Sequence, residues 1–296
     1  MGVTGAGKSN FIKTLTGDEN IVVGKRLKSC TKRVHESLTF RLGEDTIQMV
    51  DTPGFNDDMI SDDSTLGLIA KWMMNIPDTQ KLGGILYFHR ITDTRMDGGA
   101  LRCVKLFEDI CGPTFLQNTA LITTMWDKYP EDFHETVETE RELINQYWHP
   151  CLTVCQSQDG AGFVKILFDS SNSVVRLDTD ITGRGSFTGA MYARSDNTKE
   201  MFEKILREII RKRPVIPELQ KELAREASLE KTTAGKRLRK ALDKGKPRTQ
   251  RMEGNGLEGE AAPAEPKSDI QLFRARSRRM SEKFTKQKWS WRRAAT

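Results

Sequence analysis

The chain has 296 residues, 30% of them charged and 37% hydrophobic, which is enough apolar surface for one α/β core with appendages but not for two large domains. No apolar run approaches the roughly 18 residues of a membrane span, and no charged-then-apolar leader opens the chain, so neither a spanning helix nor a cleaved secretory signal is expected. Five cysteines at scattered spacings point to a reducing compartment, and the expected location is cytosolic. The net charge of +6 conceals a division: residues 1–198 hold 20 basic and 27 acidic side chains, whereas residues 199–296 hold 27 and 14. An acidic body carries a basic tail, the kind of segment drawn to anionic surfaces.

In chain order, the apolar pattern predicts a helix at Asn10–Leu15, strands at Glu36–Leu42 and Thr46–Val50, and a helix at Leu66–Ile76. A strand at Gly83–Phe88, a helix at Gly99–Ile110, a strand at Ala120–Met125 and a helix at Phe133–Tyr147 follow. Such alternation reads as α/β with a largely parallel sheet. Trp72, Met73 and Met74 are expected in the core or on a face that pairs with a second copy. From Lys199, the residues Met201, Phe202, Ile205, Leu206, Ile209 and Ile210 recur at helical spacing until Pro214 and Pro217 interrupt them. A more charged helical stretch runs from Glu218 to Leu242. Residues 245–268, rich in Gly, Pro, Ala and Glu, read as a disordered linker.

The informative segment comes first. Gly2-Val3-Thr4-Gly5-Ala6-Gly7-Lys8-Ser9 matches the phosphate-binding pattern G-x-x-x-x-G-K-[ST] completely. In that pattern glycines let backbone N–H groups turn in around phosphates, the lysine reaches the terminal ones, and the serine hydroxyl ligates Mg²⁺. The helix beginning near Asn10 directs its N-terminus at the same anion. Downstream, a strand ends in Asp51-Thr52-Pro53-Gly54, where a carboxylate can hold Mg²⁺ through water and a glycine amide can sense a γ-phosphate. Another strand ends in Thr123-Thr124-Met125-Trp126-Asp127. A carboxylate at that edge accepts from guanine N1–H and the 2-amino group, neither of which adenine offers, so Asp127 favours GTP over ATP.

These motifs, with Ser29-Cys30-Thr31, the stretch Ile85–Asp93 and Thr233-Ala234-Gly235-Lys236, make the sequence resemble septin-like P-loop GTPases. That branch includes the immune-associated nucleotide-binding and chloroplast import GTPases and the fungal G-domain-containing proteins. The resemblance implies a three-layer P-loop NTPase G domain with a mostly parallel sheet and a C-terminal helical extension. It implies phosphate contacts from Gly2, Thr4, Gly5, Ala6, Gly7, Lys8, Ser9 and Asn10, and a Mg²⁺ ion held by Ser9, Thr31 and Asp51. Lys8, Thr31 and Gly54 would carry the catalytic role, while Thr124, Asp127 and Asn197 would meet the base. Met125 stands where lysine is common, which removes a cation that packs over the base.

Phe55 follows Gly54, at the place where Ras-like proteins position the attacking water, and an aromatic ring cannot orient water by hydrogen bonding. The expectation is slow intrinsic hydrolysis of GTP to GDP and phosphate, with help from a facing G domain in a nucleotide-dependent homodimer. Arg90 and Arg95 are candidates to act in trans. A non-catalytic GTP-dependent scaffold or membrane-surface module is the alternative, and an ATP-using P-loop enzyme a third that Asp127 disfavours.

Two irregularities stand out. The motif begins at Gly2, so the buried strand that should precede it is expected to be missing, with Met1 an internal methionine of a longer gene product. Residues 151–188 carry no clear period and read as an insertion or a retained intron within a G domain spanning 1–213. Gly189–Lys199 resembles the last strand and base-contacting loop, with Ser170-Ser171-Asn172 a rival. The helical extension covers 214–244, the linker 245–268 and the basic tail 269–296. Cys151-x₃-Cys155 lacks a second ligand pair, and the four histidines lack hydrolase spacing, so zinc chemistry is not expected. The stretch Ile270–Thr296 holds nine basic residues and one acid. It reads equally as a solvated tail or as a segment for anionic membrane, a calmodulin-like groove or RNA, although no specific nucleic-acid motif is present.

Overall fold

A computed structural model describes residues 1–24, 31–128, 133–152, 174–175, 189–226 and 228–245. Helix α1 (Lys8–Thr16) starts and stops at glycines in the left-handed region, Gly7 at φ 88° and Gly17 at φ 67°. Strands β1 (His35–Leu42) and β2 (Asp45–Asp51) form an antiparallel hairpin. Helix α2 (Asp62–Asn75) is capped by Ser61, which accepts from the Ser64 amide, with Asp62 and Asp63 favourably placed in its first turn. Strand β3 (Ile85–Arg90) leads to α3 (Gly98–Cys111), capped by Asp97. Strand β4 (Thr119–Thr124) leads to α4 (Phe133–Glu142).

The single helix expected over Phe133–Tyr147 instead changes to a π-helical turn at Leu143–Trp148 before α5 (His149–Leu152). The wider turn accompanies the inward packing of Leu143, Ile144 and Trp148, all buried. Strands β5 (Val174–Val175) and β6 (Met191–Arg194) are followed by α6 (Lys199–Ile210), capped by Thr198. The charged stretch from Glu218 is two helices, α7 (Glu218–Glu226) and α8 (Thr233–Gly245), separated by a 3₁₀ turn.

Strands β3, β4 and β6 are parallel neighbours, and β5 lies antiparallel on β6. The gap expected ahead of the phosphate loop is closed at its critical end. Gly2 pairs in parallel with Phe88 and Val3 with Phe55, so the backbone entering the loop lies between β3 and the segment that follows β2. The Phe88 amide donates to the Met1 carbonyl at 2.9 Å and the Phe55 amide to the Gly2 carbonyl at 3.1 Å. These bonds satisfy the backbone amides of Phe88 and Phe55 beside the loop.

Helices cover both faces, giving the expected three layers. On one face α1 meets α6, with the Phe11 ring 4.1 Å from Phe202 and 5.1 Å from Phe88. On the other, α2 and α3 are covered by α7 and α8. Leu219, Leu223, Ala234 and Leu238 are buried there, Gln220 donates to the Met73 carbonyl at 3.0 Å, and Arg237 pairs with Asp109. Met73 and Met74 are core residues, while half-buried Trp72 donates to Glu36 at 2.7 Å and ties α2 to β1. The linker and basic tail lie outside the described residues.

His89 on β3 is buried, its ring edge-on to Trp148 with centroids 5.8 Å apart, and its Nδ1 has no partner among the described residues. Burial lowers its pKa below 6.5, with Arg90 acting in the same direction and Asp93 opposing. The unfolded chain therefore binds the extra proton first, so stability is full above pH 6.5 and falls as pH drops through and below it. Thermal melts between about pH 7 and 5 are expected to show this slope, and His89→Leu to flatten it; an unchanged slope would remove His89 as its source.

Candidate functional site

The phosphate loop is built from backbone that only glycine adopts readily: Gly2, Gly5 and Gly7 have φ of 132°, 81° and 88°. No side chain caps α1, so its first amides are free to face an anion. Lys8 is buried, and its Nζ donates to the carbonyls of Val3 at 2.8 Å and Gly2 at 3.2 Å. Burial pushes its pKa down to about 8, against a smaller upward pull from Asp51. Thr124, at the end of β4, donates to the carbonyl of Ala6 at 3.2 Å and lies within 3.3 Å of the His89 carbonyl, bracing the loop from the sheet. Asn10 follows in the first turn of α1, half-buried.

Ser9, Thr31 and Asp51 come from three separate segments and converge. The Ser9 hydroxyl donates to Asp51 Oδ2 at 2.6 Å, the Thr31 hydroxyl donates to the same oxygen at 3.2 Å, and the two hydroxyls are 3.3 Å apart. Asp51 is buried and its Oδ1 has no partner among the described residues. Two hydroxyls on one buried carboxylate with a spare acceptor form an oxygen-only donor set suited to Mg²⁺, which binds through few protein oxygens and keeps water. Residues predicted from three motifs thus fit one ion.

Gly54 sits against the loop so closely that a Cβ there would lie 2.2 Å from Thr4 Oγ1 and 2.6 Å from Thr4 Cα. The Thr4 amide donates to the Phe55 carbonyl at 3.0 Å. Phe55 is 1% exposed and belongs to the core, so its ring faces no solvent. Asn56 then turns the chain at φ 54°, and Asp57 comes back to accept from Thr4 Oγ1 at 2.7 Å. Motif reading passed over Asp57, because an acid in a polar loop has no spacing signal.

The expected base end lies where β4 and β6 stop side by side. Met125, at φ 65°, and the 3₁₀ turn Trp126–Lys128 follow β4, leaving Asp127 exposed. The Ser195 amide donates to the Thr123 carbonyl at 2.8 Å, which sets the loop bearing Asn197 beside the loop bearing Asp127. Asn197 is exposed at φ 63°, its amide N–H donating to the Ser195 hydroxyl at 3.2 Å. The rival Ser170-Ser171-Asn172 lies outside the described residues.

Where a lysine is common, Met125 offers no cation, yet the neighbouring residue is firmly held. Arg194 stacks over the Trp126 ring at 4.5 Å and forms a two-pronged pair with buried Glu140 of α4. Trp126 Nε1 donates to Thr123 Oγ1 at 3.0 Å, which in turn bonds Tyr192 at 2.9 Å. Sequence reasoning missed this brace, whose members are spread over α4, β4, β6 and the 3₁₀ turn.

Arg90, proposed from sequence as a trans-acting group, lies against its own phosphate loop. Its Nε pairs with Asp93 at 2.9 Å, and one terminal nitrogen is 3.4 Å from where a Gly5 Cβ would stand. Arg95 is exposed on the following loop.

Residues 1–85 match the family model described as the 50S ribosome-binding GTPase, a span that contains the phosphate loop, Thr31, Asp51 and Gly54. The fold is that of a P-loop GTPase G domain. No curated protein sequence matches the chain significantly. Solved structures similar to it include Toc33 from Arabidopsis thaliana in complex with GDP and Mg²⁺, at TM-score 0.47 and 17% identity, over 73% of this chain and 85% of that one. Toc33 with Mg²⁺ and GMPPNP gives TM-score 0.41 and 23% identity over 50% and 60%. A dimerization-deficient Toc33 mutant gives 0.41 and 21% over the same shares, so the chain spans 60% of its length.

Proposed function

We propose that this G domain binds GTP and GDP with Mg²⁺ and hydrolyses GTP slowly, its rate rising when two G domains face each other. The observation that carries the reading is the meeting of Ser9, Thr31 and Asp51 at the mouth of the loop that holds Lys8. Ser9, Thr31 and Asp51 would hold the ion, which when bound screens the charge of the β- and γ-phosphates. The amides of Gly5 to Ser9 cradle phosphate, Lys8 exchanges two carbonyls for phosphate oxygens, and the Gly54 amide reports the γ-phosphate. Asp127, Asn197 and Thr124 form the base end, with Thr124 acting through the loop it braces.

Exposed Arg95 is available to a second copy, which suits the dimer implied by the sequence resemblance. A second reading, a GTP-dependent scaffold that does not turn over, is favoured by the burial of Phe55. The basic tail is proposed to hold either form at an anionic membrane surface.

A fluorescent-GDP titration with unlabelled competitors tests the reading. Displacement by GTP at least roughly a hundredfold better than by ATP is expected from a hydrogen-bonding site that adenine leaves unpaired. Equal displacement by both would refute the guanine assignment. Single-turnover hydrolysis measured against protein concentration then separates a dimer-activated switch, whose rate rises, from a scaffold, whose rate stays at background.

A further inference from the structure

The burial of Phe55 leaves the attacking water without the hydrogen-bonding side chain that normally follows this glycine. We infer that Asp57 fills that role in cis, as the catalytic residue that orients the water on the γ-phosphate. The inference rests on the GTPase reading above and concerns the same site.

The backbone brings Asp57 to the place. Phe55 is pinned on both sides of the loop entry, its amide donating to the Gly2 carbonyl at 3.1 Å and its carbonyl accepting from the Thr4 amide at 3.0 Å. Asn56 takes a left-handed turn, which asparagine tolerates better than most residues, and its amide N–H is held by Asp62 at 2.7 Å. Gly99 leaves room for the Asn56 side chain, since a Cβ there would lie 2.3 Å from its oxygen. The turn returns the half-buried Asp57 carboxylate to Thr4 of the phosphate loop, where one oxygen accepts at 2.7 Å and the other accepts from the Met59 amide at 2.8 Å. The carboxylate thus lies on Thr4 of the loop that also carries Lys8, the side chain that reaches the terminal phosphates.

A carboxylate repels a phosphate and attracts a water between the two, which is the arrangement the reaction requires. A lone pair of that water forms the new bond to the γ-phosphorus. The bond from γ-phosphorus to the bridging oxygen breaks, leaving its electron pair on GDP. The water's proton passes to Asp57 and from there to the released phosphate, so the carboxylate is regenerated.

The test uses the full chain and compares wild type with Asp57→Ala and Asp57→Asn in fluorescent-GDP binding, single-turnover GTP hydrolysis and thermal melting. For Asp57→Ala, hydrolysis is expected to fall roughly a hundredfold while GDP affinity stays within about twofold. Asp57→Asn keeps an acceptor for Thr4 and for water but cannot take the proton, so its rate falls between the two. If both variants hydrolyse GTP at the wild-type rate, the inference is wrong. It is equally wrong if Asp57→Ala loses GDP affinity in proportion to rate, since Asp57 is then only a latch on Thr4. A wild type that binds GDP but shows no turnover overturns the inference and leaves the scaffold standing, whereas a wild type that binds no guanine nucleotide overturns the GTPase reading itself.

Discussion

Lys8→Ala is expected to weaken GDP and GTP binding by roughly a hundredfold or more, without lowering the melting temperature of the nucleotide-free protein. The two halves of that expectation have one cause. The ammonium is buried against the carbonyls of Gly2 and Val3, and the burial costs enough to pull its pKa to about 8. In the free protein this charge is poorly solvated and its hydrogen bonds among the described residues go to neutral carbonyls, so its removal relieves a penalty as well as losing two hydrogen bonds. With nucleotide present, the same ammonium faces phosphate oxygens, and each charge-assisted contact is strong because water is excluded. Fluorescent-GDP titration and differential scanning of the free protein check the two halves separately. A variant that melts well below wild type would show Lys8 to be part of the scaffold rather than a site held ready at the expense of stability.

Arg194→Met should destabilise the domain by about 3–5 kcal/mol, the range for removing one partner of a buried ion pair. Glu140 is fully buried, and Arg194 supplies both prongs of its pairing while Tyr192 also donates to it. Without the guanidinium, a carboxylate is left in the core with a single phenol donor. The double variant Glu140→Met/Arg194→Met should cost less than Arg194→Met alone, because it leaves no orphaned charge. Urea unfolding of the two variants and wild type decides this; a double variant less stable than the single one contradicts it. Arg194 also covers Trp126, next to Asp127, so the surviving fraction of Arg194→Met is expected to discriminate less sharply between GDP and ADP.

Much of the site was legible because its chemistry fixes residue type and spacing together. The phosphate loop must be contiguous, so Gly2 to Ser9 announced it. The strand ending at Asp51 and the one ending at Thr124 carried their motifs at the edge where a parallel sheet presents ligands. Element types followed from periodicity, with β3 and β4 wholly or almost wholly buried. What spacing could not encode was anything made of distant, non-periodic partners. The Glu140–Arg194–Trp126 brace joins residues from α4, β6 and the β4 loop, each unremarkable alone. Asp57 matters only because Asn56 turns it back onto Thr4. Arg90 looked like an exposed loop cation until the sheet set it over Gly5.

Alone, the sequence determined the proposed nucleotide chemistry, because contacts to phosphate and metal in such sites are made by short contiguous segments whose residue types the ligand dictates. Only the tertiary structure decided how these segments meet. It drew the hydroxyls of Ser9 and Thr31 onto one oxygen of Asp51, and it set Gly2 and Val3 between β3 and the segment that follows β2. It also laid α7 and α8 over α2 and α3. Those outcomes depend on which apolar faces bury one another, and burial is a property of the packed chain rather than of any stretch of it.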